Sequence, residues 1–331
     1  MSPGAPDGAD PMAMLTSYQH SAIIGTAVEC GVANRLAEGS ADSATVASDC
    51  KLDERATRAL LGAMSALSLV ERDQAGIFSL TETGRQLVDG AEGSISQIVR
   101  KEWFFYRVWS ELPSAMRDGH ARIASWRERL RDDPTQALDF LRALDDLAKM
   151  FGSGMPELAG VSRPGRLLDA GGGAGSHSAY LADAVEGIEP VVLDLPEVET
   201  VLRERHPELD FVTGDLSETR FGRPDGEEWD YVLLANILHD NPPEICGEIV
   251  SEAASLLKSG GELLIYEWVI DSDFISPPDV ATFSVMMMVE NEGGNTYTEA
   301  EIAGWCEAAG LEATRMNRGL GPIAALTAKK P

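Results

Sequence analysis

A run of closely spaced glycines constrains this chain most, because it requires a strand, a turn and a helix in succession. Residues 166–175 read Arg-Leu-Leu-Asp-Ala-Gly-Gly-Gly-Ala-Gly. The pattern predicts that a short buried strand ends near Leu168 and that a helix begins near Ser176. The turn contains Gly171, Gly173 and Gly175. Glycine has no Cβ, so backbone can approach a ligand closely there. In a doubly wound sheet, ligands bind at the carboxyl ends of the strands, where such a turn lies.

Acidic residues end three of the predicted strands. Asp169 precedes the glycines, and Asp194 follows the next apolar run, at the spacing of about 20 residues at which an acid reaches ribose hydroxyls. Asp215 ends a third strand and is expected to face an adenine amino group. The dinucleotide fingerprint fits poorly, because its third glycine would fall at Ser176. Three acids favour an uncharged nucleoside that carries a cationic amino-acid end.

Strands and helices alternate from residue 163 to residue 331, which predicts an α/β fold with helices on both faces of a parallel sheet. Asn241 is expected to cap a helix with Pro242 in its first turn and Glu244 completing a capping box, and Gly260-Gly261 to end it. Another helix is expected to begin at Thr298. Further strands are expected at 231–235 and 262–266, with a closing hairpin of 312–315 and 324–327.

Five ordered motifs then carry a resemblance over nearly the whole chain. They are the glycine run at 167–175, Leu-Asp-Leu-Pro-Glu-Val at 193–198, Gly214-Asp215, Ile-Leu-His-Asp at 237–240 and Leu-Leu-Lys-Ser-Gly-Gly at 256–261. Together they resemble the S-adenosylmethionine-dependent small-molecule O-methyltransferases of the caffeate and hydroxyindole type, in their bacterial natural-product branch. The resemblance implies a doubly wound, Rossmann-like methyltransferase domain, an N-terminal, mostly helical winged-helix dimerisation domain, S-adenosyl-L-methionine as the methyl donor and a homodimer.

The resemblance also suggests roles for individual positions. His239 matches the family's base and Glu267 one of its flanking acids. Donor binding is expected from Asp169, Gly171, Gly173, Asp194, Leu195, Gly214, Asp215, Leu216 and Asn236. Contacts with a small aromatic acceptor are expected from Trp103, Phe151, Met155, Asp240, Met287 and Asn291. Plain core packing remains an alternative for the aromatic and methionine side chains of this second group.

The expected chemistry is proton removal from an acceptor hydroxyl. A phenol titrates near pH 10, so it is a weak nucleophile at neutral pH. A neutral His239 imidazole can take that proton as the oxygen attacks, with Glu267 orienting the ring. One position departs from the family: Thr296 stands where a second acid usually brackets the histidine. Glu290 and Glu292 are possible substitutes.

This departure leaves three alternative chemistries open. One is methylation at carbon, on an aromatic amino acid or an α-keto acid. Another adds a metal held by His239, Asp240 and either Glu290 or Glu292, although no second histidine lies near Glu290; the preferred expectation is no metal. The third is a bound cofactor without methyl transfer.

The sequence before the catalytic domain is predicted to have three parts. Residues 1–11 form a tail, 12–100 a helical, winged-helix dimerisation domain, and 101–162 a helical linker that contributes to the acceptor pocket. Within the second part, Asp53 is expected to cap a helix reaching Leu67, followed by a hairpin at 69–80. A non-enzymatic, ligand-sensing winged-helix protein is the competing class.

The net charge of the chain limits the kinds of partner that it is expected to bind. The chain has 54 acidic and 27 basic residues, a formal net charge of −27. Nucleic acid and anionic membranes are therefore disfavoured, because both require a basic surface. The helix from Asp53 carries two acids and two arginines near its start, so a DNA-recognition helix is not expected. No apolar run approaches the roughly 18 residues of a membrane span. Four widely spaced cysteines favour reduced thiols in the cytoplasm.

Overall fold

The computed structural model describes residues 10–319 and 321–331, which fall into two compact units. One unit ends at Ser110 and the other begins at Glu111. Residues 1–9 of the expected tail lie outside the described residues. The finer division into 12–100, 101–162 and 163–331 stays a prediction.

The N-terminal unit contains seven described helices and a two-stranded hairpin. The helices are α1 (Pro11–Thr16), α2 (Tyr18–Glu29), α3 (Val32–Ala37), α4 (Ser43–Cys50), α5 (Glu54–Ala66), α6 (Glu82–Arg85) and α7 (Ser96–Val108), and the strands are β1 (Val70–Arg72) and β2 (Phe78–Leu80). The expected cap is confirmed, because Asp53 accepts a hydrogen bond of 2.8 Å from the amide of Ala56. The expected hairpin is also confirmed, with Val70 opposite Leu80.

The C-terminal unit is a mixed sheet flanked by helices. Its helices are α8 (Leu112–Asp118), α9 (Trp126–Asp132), α10 (Pro134–Phe151), α11 (Met155–Ala159), α12 (Ser176–Ala184), α13 (Glu199–Arg205), α14 (Pro243–Leu256), α15 (Pro278–Glu290) and α16 (Glu299–Ala308). Its strands are β3 (Gly165–Ala170), β4 (Ile188–Asp194), β5 (Asp210–Thr213), β6 (Trp229–Ala235), β7 (Leu257–Ile270), β8 (Tyr297–Thr298), β9 (Glu312–Arg318) and β10 (Ile323–Lys329). In the part of the chain that is described, no helix is both long and apolar enough to cross a membrane.

The order of the strands places the ligand crevice. The order is β5-β4-β3-β6-β7-β10-β9, with β8 beside β7. Strands β3 to β7 pair in parallel, while β10 is antiparallel to both of its neighbours. The doubly wound sheet and its closing hairpin are therefore confirmed. The chain reverses direction across the sheet between β3 and β6, and in such folds ligands bind outside the carboxyl ends of strands at this reversal.

Two predicted boundaries around α14 are wrong. The helix begins at Pro243 with Pro242 at its N-cap and no side-chain cap, whereas the side-chain Nδ2 of Asn241 donates to the carbonyl of Ile237 at 2.8 Å. The proline side chain at the N-cap has no hydrogen-bond acceptor, so the expected capping box does not form. The helix ends at Leu256 because β7 begins at the next residue. Gly260 instead lies within β7, where its amide donates to the carbonyl of Lys330 at 2.9 Å.

Candidate active site

The glycine turn has the backbone that its sequence predicts. Gly171, Gly173 and Gly175 have φ values of 76°, 56° and 86°, in the left-handed region that favours glycine. A Cβ atom at Gly171 would lie 2.6 Å from Cδ1 of Ile237. The turn leads directly into α12, as expected. It lies at the carboxyl end of β3, beside the chain reversal.

Asp169 is the buried acid beneath this turn, with 1% of its surface exposed. The hydroxyl of Ser178 donates to its Oδ2 at 2.7 Å. No described group donates to Oδ1. Burial raises the pKa of Asp169 to about 7, against the lowering effect of the Ser178 hydrogen bond and with a small contribution from Asp194. A buried carboxyl with an unmatched oxygen is suited to a cationic ligand group.

Asp194, at the end of β4, joins that strand to the glycine turn. Its Oδ2 accepts from the amide of Gly173 at 2.9 Å, and its Oδ1 accepts from the amide of Leu195 at 2.7 Å. Burial raises its pKa to about 6, although both amides oppose this shift. Each oxygen retains acceptor capacity, so the group can also accept from ligand hydroxyls.

Asp215 follows β5 and already has protein partners. The amide and hydroxyl of Ser217 donate to its Oδ1 at 2.9 and 2.7 Å, and Arg127 of α9 forms an ion pair with it. These partners outweigh burial and hold the pKa of Asp215 below its usual range. The expected contact with an adenine amino group stays a prediction.

The neighbouring small and apolar positions pack around the turn. A Cβ atom at Gly214 would lie 2.6 Å from both Leu193 Cγ and the Phe221 carbonyl, so local packing alone requires glycine. Leu216 lies 3.1 Å from the place a Cβ would occupy at Gly171. Leu195 packs against the small apolar cluster of Leu141, Ala174, Val198 and Val201.

Asn236 follows β6 and contacts a histidine that sequence reasoning missed. It has a left-handed backbone (φ 57°), and its Nδ2 lies 3.4 Å from Nε2 of His177. Among the described residues, Oδ1 of Asn236 and Nδ1 of His177 are buried without a hydrogen-bond partner. Burial lowers the pKa of His177 to about 4, so its imidazole is neutral at pH 7. The position of His177, two residues after Gly175, was the available sequence signal.

His239, in the turn after β6, and Glu267, on the neighbouring strand β7, form a buried pair. The two side chains meet with Nδ1 of His239 2.5 Å from Oε1 of Glu267. Glu267 also accepts from the amides of Leu238 at 3.0 Å and Trp268 at 2.7 Å. These bonds fix the carboxylate and leave Nε2 as the imidazole atom available for proton transfer.

The electrostatics of His239 favour its protonated form. Burial lowers its pKa, but the negative charges of Glu267, Asp240 and Glu290 outweigh burial and raise it to about 9. Nε2 of His239 lies 3.4 Å from Oδ1 of Asp240. The imidazole must therefore lose a proton before it can act as a base.

The second family acid has no direct replacement at Thr296. This residue is buried, and its hydroxyl contacts that of Ser284. Glu292 instead pairs with His120, with Oε1 2.8 Å from Nδ1. Glu290 lies 3.8 Å from Nη1 of Arg129. Across residues 10–319 and 321–331, no group of three or more His, Cys, Asp or Glu side chains is arranged to hold a metal ion.

Aromatic rings lie beside His239. Phe283 of α15 stacks on Trp268 with ring centroids 4.2 Å apart and meets the His239 ring edge-on at 4.9 Å. Among the residues of α15, the sequence analysis named Met287 as an acceptor contact but did not name Phe283. Asn291 donates to Oδ1 of Asp240 at 2.6 Å, so two of the expected acceptor-side residues bind each other.

The remaining acceptor-side expectations have different surroundings. Met287 is 2% exposed, and Met155 is fully buried in a cluster that includes Leu167 and Leu181. Plain core packing describes Met155. Trp103 belongs to the N-terminal unit, where it stacks on Tyr106 at 4.9 Å. The side chain of Phe151 lies outside the described residues.

Comparison with known proteins identifies the class. An O-methyltransferase domain model matches residues 109–312. The chain is 28% identical over 317 residues to a 3-hydroxy-5-methyl-1-naphthoate 3-O-methyltransferase of Streptomyces sahachiroi, covering 93% of this chain and 91% of the relative. It is 26% identical over 331 residues to the acetylserotonin O-methyltransferase of Bos taurus, covering 95% of each.

Solved structures share the fold. An O-methyltransferase family protein from Burkholderia thailandensis has a TM-score of 0.84 at 25% identity and 96% coverage of both chains. Human N-acetylserotonin methyltransferase in complex with SAM has a TM-score of 0.85 at 23% identity, covering 98% of this chain and 99% of that one.

The fold and the strand-end site thus define a methyltransferase. The chain belongs to the O-methyltransferase family, and it is an S-adenosyl-L-methionine-dependent enzyme that methylates oxygen. Methylation at carbon and a non-enzymatic, ligand-sensing role are not favoured.

Proposed function

We propose that His239 is the general base of this O-methyltransferase and that Glu267 orients it. The observation that carries the assignment is the 2.5 Å contact between His239 Nδ1 and Glu267 Oε1, with Glu267 itself fixed by backbone amides. This arrangement directs Nε2 away from Glu267. A neutral imidazole there can accept the proton of an acceptor hydroxyl within hydrogen-bond reach.

The donor site combines residues of three strand ends and the glycine turn. Asp169 has a buried oxygen without a described partner, which suits the ammonium of the donor's amino-acid end. Asp194 is the group for the ribose hydroxyls, and Asn236 supplies a further unmatched acceptor. When bound, S-adenosyl-L-methionine supplies a methyl group on a positively charged sulfur. The protein's part is to align that methyl group with the acceptor oxygen and to take the proton.

The acceptor in this proposal is a small aromatic hydroxyl compound of secondary metabolism. The stacked Phe283 and Trp268 rings beside His239 support an aromatic partner. Named relatives point the same way: one is a naphthoate 3-O-methyltransferase and another a tetracenomycin polyketide synthesis 8-O-methyl transferase. We assign Asp240 and Asn291, which bind each other, to the polar side of this pocket.

A screen with methyl-labelled donor tests the proposal. Hydroxylated naphthoates and related phenols are incubated with the wild-type enzyme and with His239→Ala. The substitution is expected to reduce turnover by about 10²- to 10⁴-fold, the usual contribution of a general base, without changing S-adenosylhomocysteine affinity. His20→Ala, an exposed histidine of α2 outside the site, is the matched histidine control. Turnover in His239→Ala close to wild type would remove His239 as the base.

The quaternary structure in this proposal is a cytoplasmic homodimer formed through the N-terminal unit. Helix α1 exposes large apolar side chains, with Met12 62% and Leu15 68% exposed. Burying such residues against a second copy removes apolar surface from water. Light scattering on the purified enzyme should give twice the chain mass, and Leu15→Glu should shift it toward the monomer. A monomeric wild type would contradict this assembly.

A further inference from the structure

One buried carboxylate outside the expected site contacts the glycine turn. Asp145 lies on α10 and its side chain is completely buried. Its Oδ1 accepts from the hydroxyl of Ser176 at 2.7 Å. Ser176 is itself buried and is the first residue of α12, directly after Gly175. A buried charge at this place requires partners that compensate for its lost hydration.

Those partners come from three elements. Lys149, on α10 itself, lies 2.7 Å from Oδ2 of Asp145. His206, just after α13, lies 3.1 Å from Oδ1 through its Nε2, and Arg205 lies 3.7 Å from Oδ2. The hydrogen bonds from His206, Lys149 and Ser176 outweigh burial and hold the pKa of Asp145 far below its usual range. The group is therefore a carboxylate throughout the working pH range.

Helix α10 also approaches the glycine turn at a second point. Cδ2 of Leu141 lies 3.6 Å from the place that a Cβ would occupy at Gly173. Leu141 is one turn before Asp145 on the same helix, so the two residues face the same neighbour. Gly173 is the residue whose amide binds Asp194, the acid expected at the donor ribose. Helix α10 therefore contacts both the start of α12 and the middle of the turn.

A glycine turn needs such support. Three glycines in left-handed conformations have no side chains that restrict them, and Gly175 provides no side-chain cap for α12. The Ser176 hydroxyl bond is a side-chain restraint at the first residue after the turn. It connects the donor side of the site to α10, whose last residue is the expected acceptor-side Phe151.

We propose that Asp145 is a positioning residue for the methyl donor, which holds the glycine turn in its binding conformation through Ser176. The inference rests on the donor site described above. It predicts that loss of the Ser176 hydroxyl weakens donor affinity clearly but lowers the stability of the unliganded protein only slightly. A purely structural role would reduce both together.

Calorimetric titration of the full chain with S-adenosylhomocysteine tests this. Ser176→Ala is expected to weaken binding by about tenfold, the equivalent of one hydrogen bond to a charged group, while the unliganded melting temperature falls by only a few degrees. Ser176→Thr keeps the hydroxyl and should stay within about threefold of wild type. Asp145→Asn removes the charge and should weaken binding in the same direction as Ser176→Ala.

Glu204→Ala is the matched control. Glu204 of α13 pairs with Arg142 of α10 at 2.8 Å, so this variant loosens the same helix without touching the glycine turn. Its affinity should remain within about twofold of wild type. Wild-type affinity in Ser176→Ala, equal weakening in Glu204→Ala, or no rescue by Ser176→Thr would each overturn the proposal. If Asp145→Asn does not fold, the two Ser176 variants decide the question, and binding by the wild type tests the donor site separately.

Discussion

Asp169 and Asp194, which we propose bind the methyl donor and name the donor edge, are a buried and a half-buried carboxylate. Glu267, beside His239, is also a buried carboxylate, but the two places balance charge in opposite ways. Glu267 has a built-in cationic partner, and the pKa of His239 is raised to about 9 in consequence. Asp169 and Asp194 have hydroxyl and amide donors but no described cation within hydrogen-bond distance, and burial raises their pKa values to about 7 and 6. If the proposed donor site is correct, the ligand completes the charge balance of Asp169 and Asp194, whereas the His239–Glu267 pair is already complete without a ligand.

The largest expected effect on ligand affinity is at the donor edge. Asp194→Ala removes the acceptor of the Gly173 amide and the proposed partner of the ribose, which together should weaken S-adenosylhomocysteine binding by about 30- to 100-fold. Calorimetry measures the change. Asp183→Ala, an exposed acid on α12, is the control and should bind like wild type. An unchanged affinity in Asp194→Ala would remove Asp194 from the ribose site.

Asp169 should make the unliganded protein less stable as pH rises. Its folded pKa of about 7 lies above the unfolded value of about 3.9, so its contribution is fully present below about pH 4 and is lost as pH rises through 7. The loss amounts to a few kcal/mol by pH 8. Between pH 5 and pH 8, the melting temperature of Asp169→Asn should therefore fall less than that of the wild type. If the melting temperatures of the two proteins change with pH in parallel, Asp169 does not have a raised pKa in the folded state.

Glu267→Gln should move the pH dependence of catalysis. The charge of Glu267 is the main influence that raises the pKa of His239, so its removal lowers that pKa. The rising limb of kcat/KM against pH should shift to lower pH by about one unit or more, with a reduced maximum because the ring is held less firmly. Rates are measured with the acceptor that the screen identifies. If the rising limb of the profile does not move, the charge of Glu267 does not act on the group whose titration limits the rate.

Thr296→Val should have the smallest effect. The Thr296 hydroxyl contacts Ser284 rather than His239, so turnover should remain within about twofold of wild type. Ser284→Ala is the companion variant and should behave alike. A tenfold loss specific to Thr296→Val would mean that this position acts on the base despite lacking an acid.

The sequence predicted the frame of the site well, because strands and glycine turns leave local patterns. The turn at Gly171 to Gly175, the strand-end acids and the hairpin from β9 to β10 all follow from apolar runs and glycine spacing. The N-cap of α14 was predicted wrongly, because two consecutive prolines shift the start of the helix by a residue. The hydrogen bonds of Ser178 to Asp169 and of Ser176 to Asp145 were not predictable. Each serine is distant in sequence from its acid, and neither belongs to a recognisable motif.

The acceptor side was harder to predict for a related reason. Met155 and Phe283 are both apolar residues on helices, yet one lies in the core and the other contacts His239. Periodicity gives the buried face of a helix but not the distance along it at which the core ends and a pocket begins. Only packing in three dimensions separates these two cases.

Proton release on donor binding tests the central contrast most directly. S-adenosylhomocysteine is titrated at pH 6.5 in two buffers of different ionisation enthalpy. Because the ligand's ammonium lowers the pKa values of acids that are partly protonated at this pH, binding should release about half a proton or more, and close to none at pH 8.5. Asp169→Asn should release less. Binding without proton release at pH 6.5 would contradict the account, since the donor-edge acids would then not be completed by the ligand.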